Sequence, residues 1–173
     1  MPIYALGANV PNIHPDAFVH PDAVIIGSVV IGADSSIWPG AVLRGDDGTI
    51  TIGARTSVQD NCVLHTTEAF PTVVGDDCVI GHLVHLEGCT VESGCLIGNA
   101  SIVLHRVVVR SGAIVAANSV VLNGTEVPSG AVAMGVPAVI KPGRARPDDI
   151  TSGVASYLAK SKLFRDSMRR VDR

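Results

Sequence analysis

Aromatic residues are nearly missing from this chain of 173 residues: one Trp, two Tyr and three Phe, in a composition that is 47% hydrophobic. Any core must therefore be assembled from Val, Ile, Leu and Ala. No apolar run approaches the roughly 20 residues that span a bilayer, and no basic segment leads into an apolar one near residue 1. The expectation is a soluble cytoplasmic protein with no membrane partner. The four cysteines form no CxxC, which disfavours a disulfide framework and a Cys-zinc site. Helical periodicity is also missing from residues 13–140, where apolar residues do not recur at i, i+3, i+4 and i+7.

Charge is sparse and unevenly placed. Residues 1–140 hold four Arg against twelve Asp or Glu, whereas residues 141–173 hold nine Lys or Arg against four Asp. The basic tail is expected to lie against an acidic body, its own or a neighbour's. Nucleic acid is not an expected partner, because the body that would support a basic stripe is acidic.

What the sequence has in place of these features is a period of six. Aliphatic anchors recur at Ile13, Val19, Ile25, Ile31, Ile37 and Leu43, then at Ile52, Val58 and Leu64, then at Val74, Ile80 and Leu86. From Val91 the series runs unbroken through Ile97, Val103, Val109, Val115, Val121, Val127 and Ala133. Four residues after an anchor the chain is usually small, as at Ala23, Ser35, Cys62, Cys78, Cys95 and Ala131. Strand alternation turns the anchor and the small residue inward. A hexapeptide repeat of this kind predicts a parallel β-helix, three hexads to a coil and nearly seven coils. The fold class expected is all-β, a left-handed β-helix over residues 1–141, with residues 142–173 a linker and a C-terminal helix packed on it. That helix is read from Ile150, Val154, Tyr157, Leu158, Phe164 and Met168, with Asp148 and Asp149 as capping candidates.

Two breaks interrupt the period. Three extra residues lie near Asp46 and Asp47, and four near Glu68, and loops on a rigid solenoid are where function collects. Counting hexads by threes stacks the outward residues Arg44, His65 and Glu87 in one column, successive coils being about 4.8 Å apart. Asp60 and His82 form a second column on the adjoining corner. His14 and His20, in His-Pro-Asp turns, and His105 near a corner read as surface residues.

These segments resemble the γ-class carbonic anhydrase family of hexapeptide proteins, from about Ile13 to Lys141. The motifs are Leu43-Arg44-Gly45-Asp46, Val58-Gln59-Asp60-Asn61-Cys62-Val63-Leu64-His65, and Ile80-Gly81-His82 leading to Leu86-Glu87-Gly88-Cys89. The resemblance implies a homotrimer that hydrates CO2 reversibly to bicarbonate by a metal hydroxide, with zinc held between subunits by three His. Carried over, His65 is one ligand and His82 the one offered across the interface, while the third family His falls at Glu87. Arg44 and Asp46 match a structural ion pair, Gln59 and Asp60 polar residues beside the metal, and Asp47 and Glu68 proton-shuttle carboxylates. Two His and a carboxylate are an accepted zinc set and also a non-haem iron(II) set, so iron(II) or cobalt(II) are alternatives to zinc. His85 is a reserve ligand, two residues and about 6.6 Å along the strand from Glu87. Outward Trp38, Val63 and Leu104 are expected at the trimer interface. Rival readings are a non-catalytic metal-binding scaffold and an acyltransferase, the latter from the segment Ala133-Met134-Gly135-Val136-Pro137-Ala138.

Overall fold

The computed structural model describes residues 2–172 and is a left-handed parallel β-helix of about seven turns followed by one helix. Its three faces follow the three anchors of each coil. One face stacks the strands containing Ile25, Leu43, Leu64, Leu86, Val103 and Val121, each paired in parallel with the next coil. A second stacks Ile13, Ile31, Ile52, Val74, Val91, Val109 and Val127. The third stacks Val19, Ile37, Val58, Ile80, Ile97, Val115 and Ala133, and the antiparallel strand Ala138–Lys141 folds back over its end.

The anchors and small residues fill one continuous interior. Ile25, Leu43, Leu64, Ile80, Leu86 and Ile97 are fully buried, and so are Ala23, Ala41, Ala113 and Ala131. All four cysteines are buried and free, Cys62, Cys78 and Cys95 at the small inward position. Burial pushes the Cys62 and Cys89 thiols up to about 12, so both behave as compact apolar groups.

Both breaks in the period leave the interior intact. At the first, Val24–Ile31 and Val42–Ile52 stay paired across the corner, but the register jumps from Gly27↔Gly45 to Val29↔Ile50. The surplus from Asp46 to Thr49 is pushed outward. Gly27 makes this possible: at φ +75° it has no side chain where a Cβ would overlap the Gly45 carbonyl. At the second, Thr67 and Phe70 exchange backbone hydrogen bonds and close a tight turn around Glu68.

The C-terminal helix is Pro147–Ser167. Its start differs from the sequence reading. Arg146 is the N-cap and makes no side-chain cap, Pro147 opens the first turn, and Asp148 and Asp149 lie within that turn. There they face the positive end of the helix dipole instead of capping it. Ile150 and Val154 bury against Val79, with Leu158 alongside. Met168 falls just past the last turn.

Trp38 corrects a second expectation. It points out of the solenoid as its position requires, yet the helix covers it. Its ring lies 5.5 Å from Tyr157, 5.0 Å from Phe164 and 5.4 Å from Phe18, and its indole N–H donates to Ser36 and Ser57. Four of the six aromatic residues are thus spent docking the helix. Val63 remains exposed and Leu104 half-buried. Among the described residues no helix is long and apolar enough to cross a membrane.

Candidate metal centre

The register brings Arg44, His65 and Glu87 side by side on three successive coils, as counting hexads requires. Their side chains join into one chain of polar contacts. The Arg44 guanidinium donates to Asp46 Oδ2. Asp46 Oδ1 lies 3.0 Å from His65 Nε2, and His65 Nδ1 lies 3.1 Å from Glu87 Oε1. Glu87 Oε2 lies 3.2 Å from His85 Nε2. The first insertion is what allows this, because it swings Asp46 back over the column that Arg44 begins.

Burial raises the pKa of Asp46, but hydrogen bonds from its own backbone, His65 and Arg44 outweigh it, leaving the carboxyl below its ordinary value. Glu87 behaves alike: burial raises it, and His65, His85 and His105 bring it below the ordinary carboxylate value. Asp47 is exposed on the same bulge. The donor atoms of Asp46, Asp47 and His65 lie within 4.8 Å of one another.

His82 belongs to a second group. Its Nδ1 is 2.9 Å from Asp60 Oδ2, and its Nε2 is 3.3 Å from the Tyr157 hydroxyl on the C-terminal helix. The next residue, Leu83, is exposed and holds φ +62°, an uncommon backbone for a branched side chain. Among the described residues of one chain, His82 makes no hydrogen bond or ion pair to the His65 network. Gln59 is buried, and Glu68 is exposed on its turn with no ion-pair partner among the described residues.

Two residues at the site were not anticipated. Tyr157 carries no local signal, since its partner is 75 positions away. His105 could have been found by extending the count one coil further. Leu86 pairs with Val103, so His105 sits above Gly88, and its Nε2 comes 3.5 Å from Glu87 Oε1. It is not a free surface residue.

A family model described as bacterial transferase hexapeptide (six repeats) matches residues 11–45. The mitochondrial gamma carbonic anhydrase 1 of Arabidopsis thaliana is 44% identical over 104 residues, covering 57% of this chain and 38% of that protein. The carnitine operon protein CaiE of Escherichia coli O157:H7 is 41% identical over 104 residues, covering 60% of this chain and 53% of that protein. The chain therefore spans about half or less of the length of these relatives. A crystal structure of a hexapeptide transferase family protein from Anaplasma phagocytophilum superposes with a TM-score of 0.89 at 35% identity, covering 94% of this chain and 98% of that one. Fold and sequence together define the class. The chain belongs to the hexapeptide-repeat family of left-handed β-helix proteins.

Proposed function

We propose that the protein hydrates CO2 reversibly to bicarbonate as a metal-dependent homotrimer, His65 and Glu87 of one subunit meeting His82 of the next. The observation that carries this reading is that each imidazole has an orienting carboxylate on one nitrogen, while its other nitrogen meets Glu87 in His65 and the Tyr157 hydroxyl in His82. Asp46 sits on His65 Nε2 and Asp60 on His82 Nδ1. A metal-bound histidine regularly donates its other N–H to such a group. His65 Nδ1 and His82 Nε2 are then the nitrogens offered to a metal, the first beside its fellow ligand Glu87 and the second on parting from the Tyr157 hydroxyl.

The donor set fits a metal. His65 Nδ1 and Glu87 Oε1 are 3.1 Å apart, and two ligands on a tetrahedral zinc with bonds of about 2.0–2.1 Å are separated by roughly 3.3 Å. Zinc suits two His and a carboxylate, and iron(II) or cobalt(II) suit them as well. Such an ion, when bound, supplies the Lewis acidity that makes water a nucleophile near neutral pH. The chain's own part is orientation and proton movement. Arg44 fixes Asp46, Asp46 fixes the His65 tautomer, and Asp60 does the same for His82. Gln59 adds a polar wall, and the exposed carboxylates of Asp47 and Glu68 hand protons to solvent.

Anomalous scattering from crystals of the purified protein tests this, by giving the metal, its ligands and the assembly together. The expected result is one ion per subunit interface, held by His65, Glu87 and His82 of the partner subunit. A second reading has its own support: His65 and Glu87 already satisfy each other and their neighbours without an ion. Interfaces with no metal after zinc soaking would favour that reading, a non-catalytic relative. Binding of acyl-CoA by the purified chain would instead favour acyl transfer.

A further inference from the structure

Glu87 is where this chain departs from three histidines, and three imidazoles of the same chain surround it. His65 reaches Oε1 from the coil below, at 3.1 Å. His85 reaches Oε2 from two residues earlier on the same strand, at 3.2 Å. His105 approaches Oε1 from the corner one coil above, at 3.5 Å. A glutamate has more torsions than a histidine, so as a metal ligand it holds its oxygen in place only when other groups restrain the carboxylate.

The surroundings of His105 are arranged to admit its ring. Gly88 holds φ +57°, and a Cβ there would come 2.8 Å from His105 Cδ2 and 2.8 Å from Phe70 Cβ. The Phe70 ring, from the second insertion, lies 6.0 Å from the imidazole, and the Arg106 guanidinium lies 5.3 Å over Phe70. His105 Nε2 is buried and has no hydrogen-bond partner of good geometry. A buried imidazole nitrogen left unpaired is costly, and the acceptor it faces is Glu87 Oε1.

We propose that His85 and His105 are positioning residues that restrain the two oxygens of Glu87 and so present it as a metal ligand beside His65 Nδ1. Each donates an Nε2–H, His85 to Oε2 and His105 to Oε1. The inference rests on the metal reading above, in which Glu87 is a ligand and these two imidazoles are its outer support. Loss of such a support weakens metal binding about 10- to 100-fold.

The test is titration of the metal-free full chain with cobalt(II), followed by its visible spectrum, with the β-helix checked by circular dichroism. His85→Ala and His105→Ala should each weaken binding about 10- to 100-fold while leaving the fold unchanged. His85→Gln and His105→Gln, which keep a donor near the Nε2 position, should recover most of the affinity and the parent spectrum. Parent-like affinity in both Ala variants, beside a His65→Ala variant that binds nothing, would overturn the positioning role and leave the metal site standing. Complete loss of cobalt in an Ala variant that Gln fails to restore would also overturn it, by making that histidine a direct ligand. Parent-like binding in His65→Ala would sink the metal reading itself.

Discussion

The coils from Val91 to Ala133 and those from Leu43 to Leu86 share one interior and differ only outside it. In the upper coils the period of six never breaks, and the outward ionic contacts include the ladder Glu92–Arg110–Glu126 along the surface. In the lower coils two insertions leave the anchors in register, and the outward column becomes Arg44, His65 and Glu87 with Asp46 folded across it. The difference teaches that fold and site are separable here. Inward positions carry stability, and the outward ones beside the insertions are free to carry chemistry.

The largest effect should come from breaking the interior where no site exists. Ile97 is fully buried in the upper coils. Ile97→Ala should cost about 2–5 kcal/mol of stability, from lost transfer energy and the cavity left behind. Urea unfolding measures it, and metal affinity of the folded variant should match the parent. A variant that lost metal as well as stability would join the two regions that the comparison separates.

The next effect breaks the site and spares the fold. His65→Ala should reduce zinc affinity by more than the roughly 100-fold expected for an outer-shell residue. Metal-free stability should fall by about 1–3 kcal/mol, since loss of the ring leaves Asp46 and Glu87 without their imidazole partner while the interior anchors stay in place. Metal analysis after dialysis and urea unfolding together check this. Full retention of zinc would place the site elsewhere.

How much of this was legible beforehand follows from the same division. The anchors and small positions, the coil count and the column of Arg44, His65 and Glu87 all follow from a period that strand geometry fixes. Trp38 was misread because an outward apolar residue on a solenoid has several covers, and sequence spacing does not say which. The helix supplied the cover here. Asp148 and Asp149 lie two and three residues past the N-cap because Pro147 fits the first turn without a side-chain cap. Tyr157 and His82 meet only through docking of the helix, a long-range event with no periodic signature.

The Glu87 exchange sharpens the comparison at a single residue. If Glu87 is a ligand, Glu87→His restores three neutral donors and raises the charge the ion keeps. Water there should ionise at lower pH, and CO2 hydration at neutral pH should rise above the parent. Glu87→Ala should weaken metal binding and leave activity at background. Stopped-flow hydration assays with metal analysis decide it. No gain from the first variant, with metal retained in the second, would remove Glu87 from the ligand set.

The smallest effect is on stability in acid, and it separates the regions by slope. Asp46 and Glu87 both titrate below their ordinary values of 3.8 and 4.5, because hydrogen bonds and imidazole neighbours outweigh burial. A depressed carboxyl binds fewer protons in the folded state than in the unfolded one. Its contribution is therefore present above the unfolded pKa and is lost as pH falls through the folded value. In the metal-free chain that loss begins below about pH 4.5, where Glu87 starts to protonate when unfolded. Glu87→Gln and Asp46→Asn should each flatten the fall of the urea midpoint below that pH. Ile97→Ala, which carries no titrating group, should lower the midpoint at every pH and keep the parent slope. The remaining slope belongs to carboxylates paired with arginine elsewhere, such as Asp77 with Arg55 and Glu126 with Arg110, which all three variants retain. An unchanged slope in Glu87→Gln would mean that the imidazoles around Glu87 add nothing to folding, leaving metal binding as the reason for their convergence.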